Sequence, residues 1–476
     1  MFSRRDALKL SAVAGVGMVL PAQQLASALS DDPPVVTPFS VPLPIPPVLR
    51  PVTSSRSADH YEMVVTPATA RIFPGLDTRV LTFNGSFPGP TIRSRRGRAA
   101  VVKVTNKMST PAAVHLHGAN VAPESDGHPL DTIDPGASRL YHYPNSQPAA
   151  TLWYHDHAHH VEAEQVYRGL TGAYIISDSE TDALRLPSGE FDIPLVIRDA
   201  QFDGDGQLVW KLDDFANRKT VLVNGAIQPT HKVKRRKYRL RLINAANSRP
   251  LRLALNPASD VIQIASDGGL LGRPVTRPEV ELWPAERAEI VIDFSKFPSG
   301  TNVILENTFN GPETPGRQLL RFEVTGSVVA DDSVVPAKLR DLEDLGTPTV
   351  TRRIVLARDP TNTFYAIDGK AYDPKRIDLT VKRGTTELWE VVNDDGQYNF
   401  PHSIHLHLVQ FRVLERAGQP VGEWEAYPKD TARVPAGQTV KILVKFDSEF
   451  TGVYPFHCHF FDHSSMAMMA NMQVLP

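Results

Sequence analysis

The sequence has little cysteine, little charge imbalance and no long apolar run after residue 20, and each shortage excludes a class of protein. A single cysteine among 476 residues excludes an intramolecular disulfide. A formal net charge of -2, with 22% charged residues, gives no reason to expect a nucleic-acid partner. No segment beyond residue 20 approaches the roughly 20 consecutive apolar residues that cross a bilayer, so we expect no stable membrane insertion of the mature chain.

The first 28 residues have the features of an export signal. Arg4 and Arg5 precede a short apolar run at 10–20, and residues 26–28 read Ala-Ser-Ala, which suits a signal peptidase. We therefore expect residues 1–28 to be a twin-arginine signal peptide and the protein to be periplasmic or extracellular. The alternative is an N-terminal membrane anchor, which is less favoured because the run is about half as long as a span requires.

The rest of the chain has the pattern of short strands joined by turns. Residues 29–52 are rich in proline, which predicts an extended arm that is either a linker or a strap over a neighbouring domain. Beyond this arm, apolar and polar residues alternate over short stretches bounded by glycine, proline and asparagine, which predicts antiparallel strands. The clearest of these stretches are 99–104, 238–243, 289–294 and 440–446.

A degenerate repeat predicts three related β-sandwich domains. Asn84-Gly85, Asn224-Gly225 and Asp368-Gly369 each lead through a strand to an asparagine 20 to 25 residues further on. The first and third copies lead into histidines and the middle copy does not, so we expect the outer domains to hold metal and the middle domain to space them. The predicted boundaries are 53–185, 186–330 and 349–476 for the domains, and 331–348 for a linker.

Ten of the sixteen histidines lie in four short blocks, and the last block also contains the only cysteine. A thiolate, two imidazoles and a weak thioether are the ligands of a blue-copper electron-transfer site. One histidine pair alone is more often a surface or hydrogen-bonded pair, but four blocks together indicate copper. They are His115-Leu116-His117, His155-Asp156-His157, 402–407 with its three histidines, and His457-Cys458-His459 followed by His463 and by Met466 and Met468.

Strand geometry allows each histidine pair to bind one ion or cluster. Residues i and i+2 of a strand point to the same side, and residue i+1 points to the other. In the last block, Cys458 therefore faces away from His457 and His459. One copper on the cysteine side would then have a short, mostly covalent route for electrons to coppers on the histidine side.

In order and position, the four blocks resemble the copper-binding motifs of the multicopper oxidases. The runs 153–158 and 402–416 are similar to those of the bacterial three-domain group of laccases, spore-coat laccase and bilirubin oxidase. The resemblance covers roughly residues 50–476. It implies an all-β fold of three cupredoxin-like domains, which are Greek-key β-sandwiches, and four copper ions: one type 1, one type 2 and a type 3 pair.

Carried over by position, the resemblance also implies the ligand of each ion. The axial methionine is Met468, with Met466 and Met469 as close competitors. The implied sets are His402, Cys458, His463 and Met468 for type 1; His115 and His405 for type 2; His117, His155 and His459 for one type 3 copper; and His157, His407 and His457 for the other.

The resemblance assigns two further roles and shows two departures. Asp126 matches the acidic residue that supplies protons near the type 2 copper, although a turn aspartate before Gly127 is the alternative. Cys458 would carry electrons from the type 1 copper. This chain has Ser403 where the family usually has proline, and Ser464 where it usually has an acid that helps move protons. Asp462 or water would then replace that acid.

The function implied is a laccase-like oxidation of a small organic reductant by dioxygen, which is reduced to water. The expected reductants are phenols, aromatic amines or bilirubin-like pigments. The alternative is a metallo-oxidase of Cu(I), Mn(II) or Fe(II), and a remote alternative is a copperless structural or cell-division relative. The chain has only eight methionines, whereas cuprous oxidases of the family carry a methionine-rich insert. A monomer is expected.

Overall fold

The computed structural model describes residues 32–311, 316–359, 361 and 363–476, so the predicted twin-arginine segment lies outside the described residues. Strands dominate, which confirms the all-β fold class. Helices are short: α1 (Glu162–Arg168), the longest in the described chain, has seven residues, and α2 (Ser179–Ala183) and α3 (Phe461–Ser465) have five. Among the described residues, no helix has the length and apolarity that a membrane span requires.

The first sandwich contains β1 to β9. Its two sheets enclose an apolar core that includes Tyr61, Val102, Leu116 and Tyr154. One sheet has the order β1 (Thr53–Ser54), β2 (Ala58–Ala70), β5 (Ala99–Asn106) and β7 (Ser138–Tyr143), with β3 (Thr78–Phe83) also paired to β2. The other has the order β4 (Gly89–Arg95), β9 (Thr171–Ser177), β8 (Ala150–Asp156) and β6 (Val114–His117).

The second sandwich contains β10 to β21 around a core of aliphatic side chains and Phe294 and Phe322. One sheet has the order β12 (Ala226–Ile227), β11 (Thr220–Val223), β10 (Asp192–Ala200), β14 (Lys237–Asn244), β19 (Arg287–Asp293), β16 (Val261–Ser266) and β17 (Gly269–Arg277). The other has the order β13 (Thr230–Arg235), β21 (Gln318–Val328), β20 (Asn302–Asn307), β15 (Leu251–Asn256) and β18 (Glu279–Leu282).

The third sandwich contains β22 to β32, and its core includes Trp389, Leu406, Cys458 and Met468. One sheet has the order β23 (Tyr365–Ile367), β22 (Val350–Arg358), β25 (Thr386–Asn393), β30 (Thr439–Lys445), β27 (Phe411–Arg416) and β28 (Gln419–Pro420). The other has the order β24 (Leu379–Lys382), β32 (Met469–Leu475), β31 (Gly452–His457), β26 (His402–Leu406) and β29 (Thr431–Val434).

The sheets are mixed, so the expectation of purely antiparallel strands is wrong in part. In each sandwich the strand after the repeat runs parallel to an earlier one, in the pairs β2 with β5, β10 with β14 and β22 with β25. A Greek-key chain crosses to the other sheet between two such strands and re-enters the first sheet from the same end. Parallel pairing follows from that crossover.

The repeat seen in the sequence has one structural role in all three sandwiches. Asn84, Asn224 and Asp368 all have positive φ, at 53°, 50° and 50°, and each is followed by a glycine that also has positive φ. Their side-chain oxygens accept a backbone N–H from the antiparallel partner of the preceding strand, at Val64, Val196 and Val355 respectively. The three predicted β-sandwich units therefore share the turn that the repeat encodes.

The described part of the proline-rich arm, 32–52, is extended and touches two sandwiches. The N–H of Leu43 donates to the carbonyl of Thr230 at 2.7 Å, and the N–H of Leu49 donates to the carbonyl of Thr91 at 2.9 Å. Thr91 belongs to the first sandwich and Thr230 to the second. The arm thus lies across the junction of the two sandwiches.

Candidate metal centre

Eight histidines form one buried cluster between the first and third sandwiches. None is more than 1% exposed, and neighbouring ring centroids are 3.8 to 5.8 Å apart. Three sets of three have ring nitrogens within 4.8 Å of one another, including the predicted set His157, His407 and His457. The cluster consists of His115, His117, His155, His157, His405, His407, His457 and His459.

Strand register brings these histidines together from distant parts of the chain. His115 on β6 is the antiparallel partner of His155 on β8, and His405 on β26 is the partner of His457 on β31. Within the strands, the residues between His115 and His117, between His405 and His407, and between His457 and His459 turn away from the cluster. Leu116 packs in the first core, and Leu406 and Cys458 pack in the third. The alternation expected from the sequence therefore separates a histidine side from an apolar side.

Hydrogen bonds fix the orientation of most rings. The Nδ1–H groups of His115, His155, His405 and His457 donate to backbone carbonyls at 2.6 to 2.9 Å. In the described chain, the Nε2 atoms of His115, His155 and His405 are buried and lack a hydrogen-bond partner, as do both ring nitrogens of His157. Buried polar atoms are rarely left unsatisfied, so these inward-facing nitrogens fit metal ligation, with the carbonyls as the outer support.

Burial keeps the cluster in the state that metal binding requires. It lowers the pKa of His155 to about 3 and that of His457 to about 4. The pKa values of the other six lie well below the usual value, because burial and then the neighbouring imidazoles disfavour the charged form. Neutral imidazoles present free lone pairs to a metal.

A second group lies next to the cluster and is built on Cys458. The Nδ1 atoms of His402 and His463 are 3.1 Å apart, and Cys458 Sγ lies 3.9 Å and 3.5 Å from them. All three residues are fully buried. The carboxylate of Asp395 accepts a hydrogen bond from His402 Nε2 at 2.8 Å, which leaves Nδ1 of that ring facing the sulfur. This is the predicted cysteine and two-imidazole set.

The three candidate axial methionines differ in position. The N–H of Cys458 donates to the carbonyl of Met468 at 3.1 Å, and the N–H of Met468 donates to the carbonyl of His463 at 3.0 Å. The Met468 side chain packs in the same core as Cys458, whereas Met466 is only partly buried against that core. Met469 begins β32, where alternation points its side chain away from that of Met468.

Asp126 lies in a turn, as one of the two alternatives expected, and its side chain also reaches the histidine cluster. It follows the 3-10 turn Pro123–Ser125 and precedes Gly127, whose φ is +73° and whose α-carbon approaches the carbonyl of Val114 too closely for a side chain. Its carboxylate also reaches the cluster, where Oδ2 lies 2.7 Å from Nδ1 of His407. Burial raises the pKa of Asp126 well above its usual value, so the group can hold a proton beside the histidines.

The structure adds a buried ion pair that no motif marked. Asp430 contacts Nε2 of His117 at 2.9 Å, and Arg287 of the second sandwich pairs with both of its carboxylate oxygens, Oδ1 at 2.6 Å and Oδ2 at 2.5 Å. Both residues are buried. The expectation that the middle domain only spaces the outer ones is therefore too simple, because one of its arginines neutralises an acid that touches the cluster.

The two departures from the family pattern have visible consequences. Ser403 Oγ accepts the N–H of His459 at 2.9 Å, and the Ser403 N–H points at Cys458 Sγ at 3.5 Å. A proline at 403 would remove that N–H. Ser464 lies against Glu162 on α1, a residue that the sequence did not single out. The rings of His159 and His160 are tilted against each other with centroids 3.7 Å apart, and His159 also packs edge-on against Tyr372.

Comparison with known proteins defines the class. Family models described as multicopper oxidase match residues 64–181 and 345–476. The chain is 37% identical to the bilirubin oxidase of Albifimbria verrucaria over 92% of this chain and 82% of that one. It is 34% identical to the laccase of Bacillus subtilis (strain 168), over 91% of this chain and 97% of that one. The laccase structure from Pediococcus acidilactici superposes with a TM-score of 0.84 at 30% identity, covering 94% and 96%.

The chain therefore belongs to the multicopper oxidase family, and its three sandwiches are cupredoxin-like domains. It is a copper-dependent oxidoreductase that uses dioxygen and a reducing substrate, and its cofactor is four copper ions. A further relative of known structure, at 27% identity and a TM-score of 0.80 over 92% of this chain and 96% of that one, is the Campylobacter jejuni multicopper oxidase, described as a metallo-oxidase.

Proposed function

We propose that this protein is a laccase-type oxidase of phenols, aromatic amines or bilirubin-like pigments. The observation that carries the proposal is an aromatic surface over the cysteine site. Tyr365 stacks on the ring of His463 at 4.1 Å, and Phe400 lies 5.1 Å from the same ring. Phe215 of the second sandwich and Tyr398 extend this surface into solvent, at 40% and 54% exposed. A planar aromatic reductant can stack there within electron-transfer reach of His463.

The charge at this surface favours an organic reductant over a metal cation. The guanidinium of Arg358 lies over the rings of Tyr365, Tyr398 and Phe400 at 5.0, 5.8 and 4.6 Å. It would attract a phenolate or a pigment carboxylate and repel a metal ion. The metallo-oxidase alternative would require a carboxylate near His463 that could bind a metal ion. Asp213 is the candidate, because its N–H donates to Asp462, the residue before His463.

The proposed copper ligands are those that the family resemblance assigns. His402, Cys458 and His463 would hold the type 1 copper, and the backbone contacts of Met468 support it as the axial ligand. His115 and His405 would hold the type 2 copper. One type 3 copper would be held by His157, His407 and His457, whose ring nitrogens lie within 4.8 Å of one another. The other would be held by His117, His155 and His459, of which His117 and His459 have ring nitrogens 3.1 Å apart.

Groups of the protein itself would provide the electron path, the proton and the exclusion of water. When bound, the coppers supply one-electron oxidation at one site and four-electron reduction of dioxygen at the other. The backbone of 457–459 joins the two sites, because Cys458 faces one and its two neighbours face the other. Asp126 holds a proton beside His407. The apolar cores around both sites exclude bulk water, which strengthens the electrostatic interactions inside.

A Phe215→Ala variant tests the substrate surface. Loss of one aromatic contact, worth about 0.5–1.5 kcal/mol, is expected to raise KM for 2,6-dimethoxyphenol by about twofold to twelvefold with little change in kcat. The measurement is steady-state oxygen uptake with this phenol, bilirubin, Cu(I), Mn(II) and Fe(II) as reductants.

The matched control is Phe309→Ala, which removes a phenylalanine of similar exposure, 38%, that lies against Arg252 in the second sandwich. KM should not change in that variant. If metal ions were oxidised faster than every organic reductant, and Phe215→Ala left phenol kinetics unchanged, the metallo-oxidase function would replace the one proposed here.

We also propose the sequence-derived boundaries, 53–185, 186–330 and 349–476 with a linker at 331–348, and a monomeric protein exported by the twin-arginine route. Arg4 and Arg5 with the short apolar run that follows support the export route. Changing both arginines to lysine should keep the protein in the cytoplasmic fraction of expressing cells. Unchanged export of that double variant would exclude the route.

A further inference from the structure

Dioxygen reduction needs four protons, and the histidine cluster that carries it out is buried away from solvent. Asp462 was one of two expected replacements for the acid missing at Ser464, but its oxygens are already engaged. Arg218 donates to both of them at 2.7 and 2.9 Å, and Ser248 Oγ donates to Oδ2 at 2.6 Å. These hydrogen bonds commit both carboxylate oxygens to Arg218 and Ser248, so the geometry favours another group as the replacement.

A different carboxyl group occupies the space beside Ser464. Glu162, the first residue of α1, accepts a hydrogen bond from Ser464 Oγ at 3.3 Å, and both residues are fully buried. Its second oxygen, Oε2, is buried and lacks a hydrogen-bond partner in the described chain. The contact joins α1, which follows the second histidine block, to α3, which contains His463 of the fourth block.

The groups around Glu162 leave it able to exchange a proton. Ser464 on α3 contacts it, and its other titratable or polar neighbours are Ser465 on α3, Tyr372, and Asp156 on β8. Within the described residues, no lysine, arginine or histidine forms an ion pair with Glu162. Burial raises the pKa of Glu162 to about 7, in the range suited to a proton donor at neutral pH.

Helix stabilisation does not explain a buried acid at this position. An acidic residue in the first turn of a helix is stabilising near the N-terminus, but α1 already has Glu164 there. Glu164 is partly exposed and pairs with Arg168 at 2.7 Å. Among the described residues Glu162 has no such ion pair, and a buried carboxyl group without a cation is costly unless it carries a proton.

We propose that Glu162 is a proton-transfer residue for dioxygen reduction, which replaces the acid missing at Ser464 across the contact between α1 and α3. For each dioxygen, the reductant supplies four electrons and solvent supplies four protons. Glu162 gives its carboxyl proton toward the histidine cluster and regains one from solvent, so only O–H bonds change at this residue. Ser464 positions the carboxyl group. The inference rests on the copper-dependent reduction of dioxygen described above.

The Glu162→Gln variant removes the exchangeable proton and keeps the shape of the side chain. We expect unchanged copper content, blue absorbance and anaerobic reduction by 2,6-dimethoxyphenol. Reoxidation of the fully reduced protein by dioxygen should slow by at least about tenfold, with a larger solvent deuterium isotope effect. In the copper-free protein at pH 6, an infrared band of a protonated carboxyl group should be lost in Glu162→Gln and kept in the matched control Glu164→Gln.

Two further variants separate proton transfer from a structural role. Glu162→Asp keeps the acid and should reoxidise within a few-fold of the native rate, and the exchange variant E162S/S464E should recover most of the rate that Glu162→Ser loses. The proposal would be overturned by equal slowing in Glu162→Gln and Glu162→Asp, by a native reoxidation rate in Glu162→Gln, or by an infrared band that persists in Glu162→Gln. Failure of the proposed function would differ, because the native protein itself would then lack blue colour or phenol oxidation.

Discussion

Cys458→Ser is expected to remove the intense blue absorbance and to abolish the oxidation of phenols. A hydroxyl group of similar size cannot replace the thiolate, which is the soft ligand that defines this kind of copper site. The cysteine is fully buried, and its Sγ lies within 3.9 Å of the Nδ1 atoms of His402 and His463. Visible absorption and oxygen uptake measure the two losses. The copper content should fall from about four ions per chain to about three, because the eight-histidine cluster is unchanged.

Met472→Leu is the control for this loss, because Met472 is buried in the same core and is not a proposed ligand. A volume-conserving change of this kind costs little stability, so colour and activity should persist. A blue Cys458→Ser protein would contradict the assignment of the type 1 site.

Asp126→Asn is expected to slow dioxygen reduction by about a hundredfold, the size of effect typical of a lost proton-transfer group. Asparagine keeps the shape of the side chain and can still contact His407 Nδ1, which is 2.7 Å from the carboxylate in this structure. It cannot release a proton, however. The measurement is the reoxidation rate of the reduced protein, alongside copper content and blue absorbance, both of which should remain at native values.

Asp134→Asn is the matched control, because Asp134 lies on the same loop and is exposed. Its reoxidation rate should equal that of the native protein. If Asp126→Asn reduced dioxygen at the native rate, the protons at this side of the cluster would have to come from another group.

Much of the fold and most of the candidate site were predictable from local sequence. The repeated Asx-Gly turns require positive φ, and the histidine pairs follow strand alternation, so both patterns are written in adjacent residues. His115 and His117, or His405 and His407, could be assigned to one face of a strand without a structure. The mixed sheets were not predictable in this way, because parallel pairing depends on how the chain crosses between sheets.

The supporting residues depend on contacts between distant segments, which no local spacing encodes. Arg287 and Asp430 are 143 positions apart, and Glu162 and Ser464 are 302 apart. In sequence, Asp430 is an ordinary charged residue beside a strand, and Glu162 is an ordinary acid at the start of a short helix. A weak signal did exist at Ser464, where a missing acid required a replacement, but nothing in the sequence showed where the replacement lay.

The eight clustered histidines come equally from the two ends of the chain, with His115, His117, His155 and His157 from the first sandwich and His405, His407, His457 and His459 from the third. Neither end alone can retain the metals of this cluster, and the second sandwich must be in place for Arg287 to neutralise Asp430. Retention of the copper ions of this cluster therefore reports whether the two ends of the chain have docked, whereas blue colour reports only the third sandwich, which alone contains His402, Cys458 and His463.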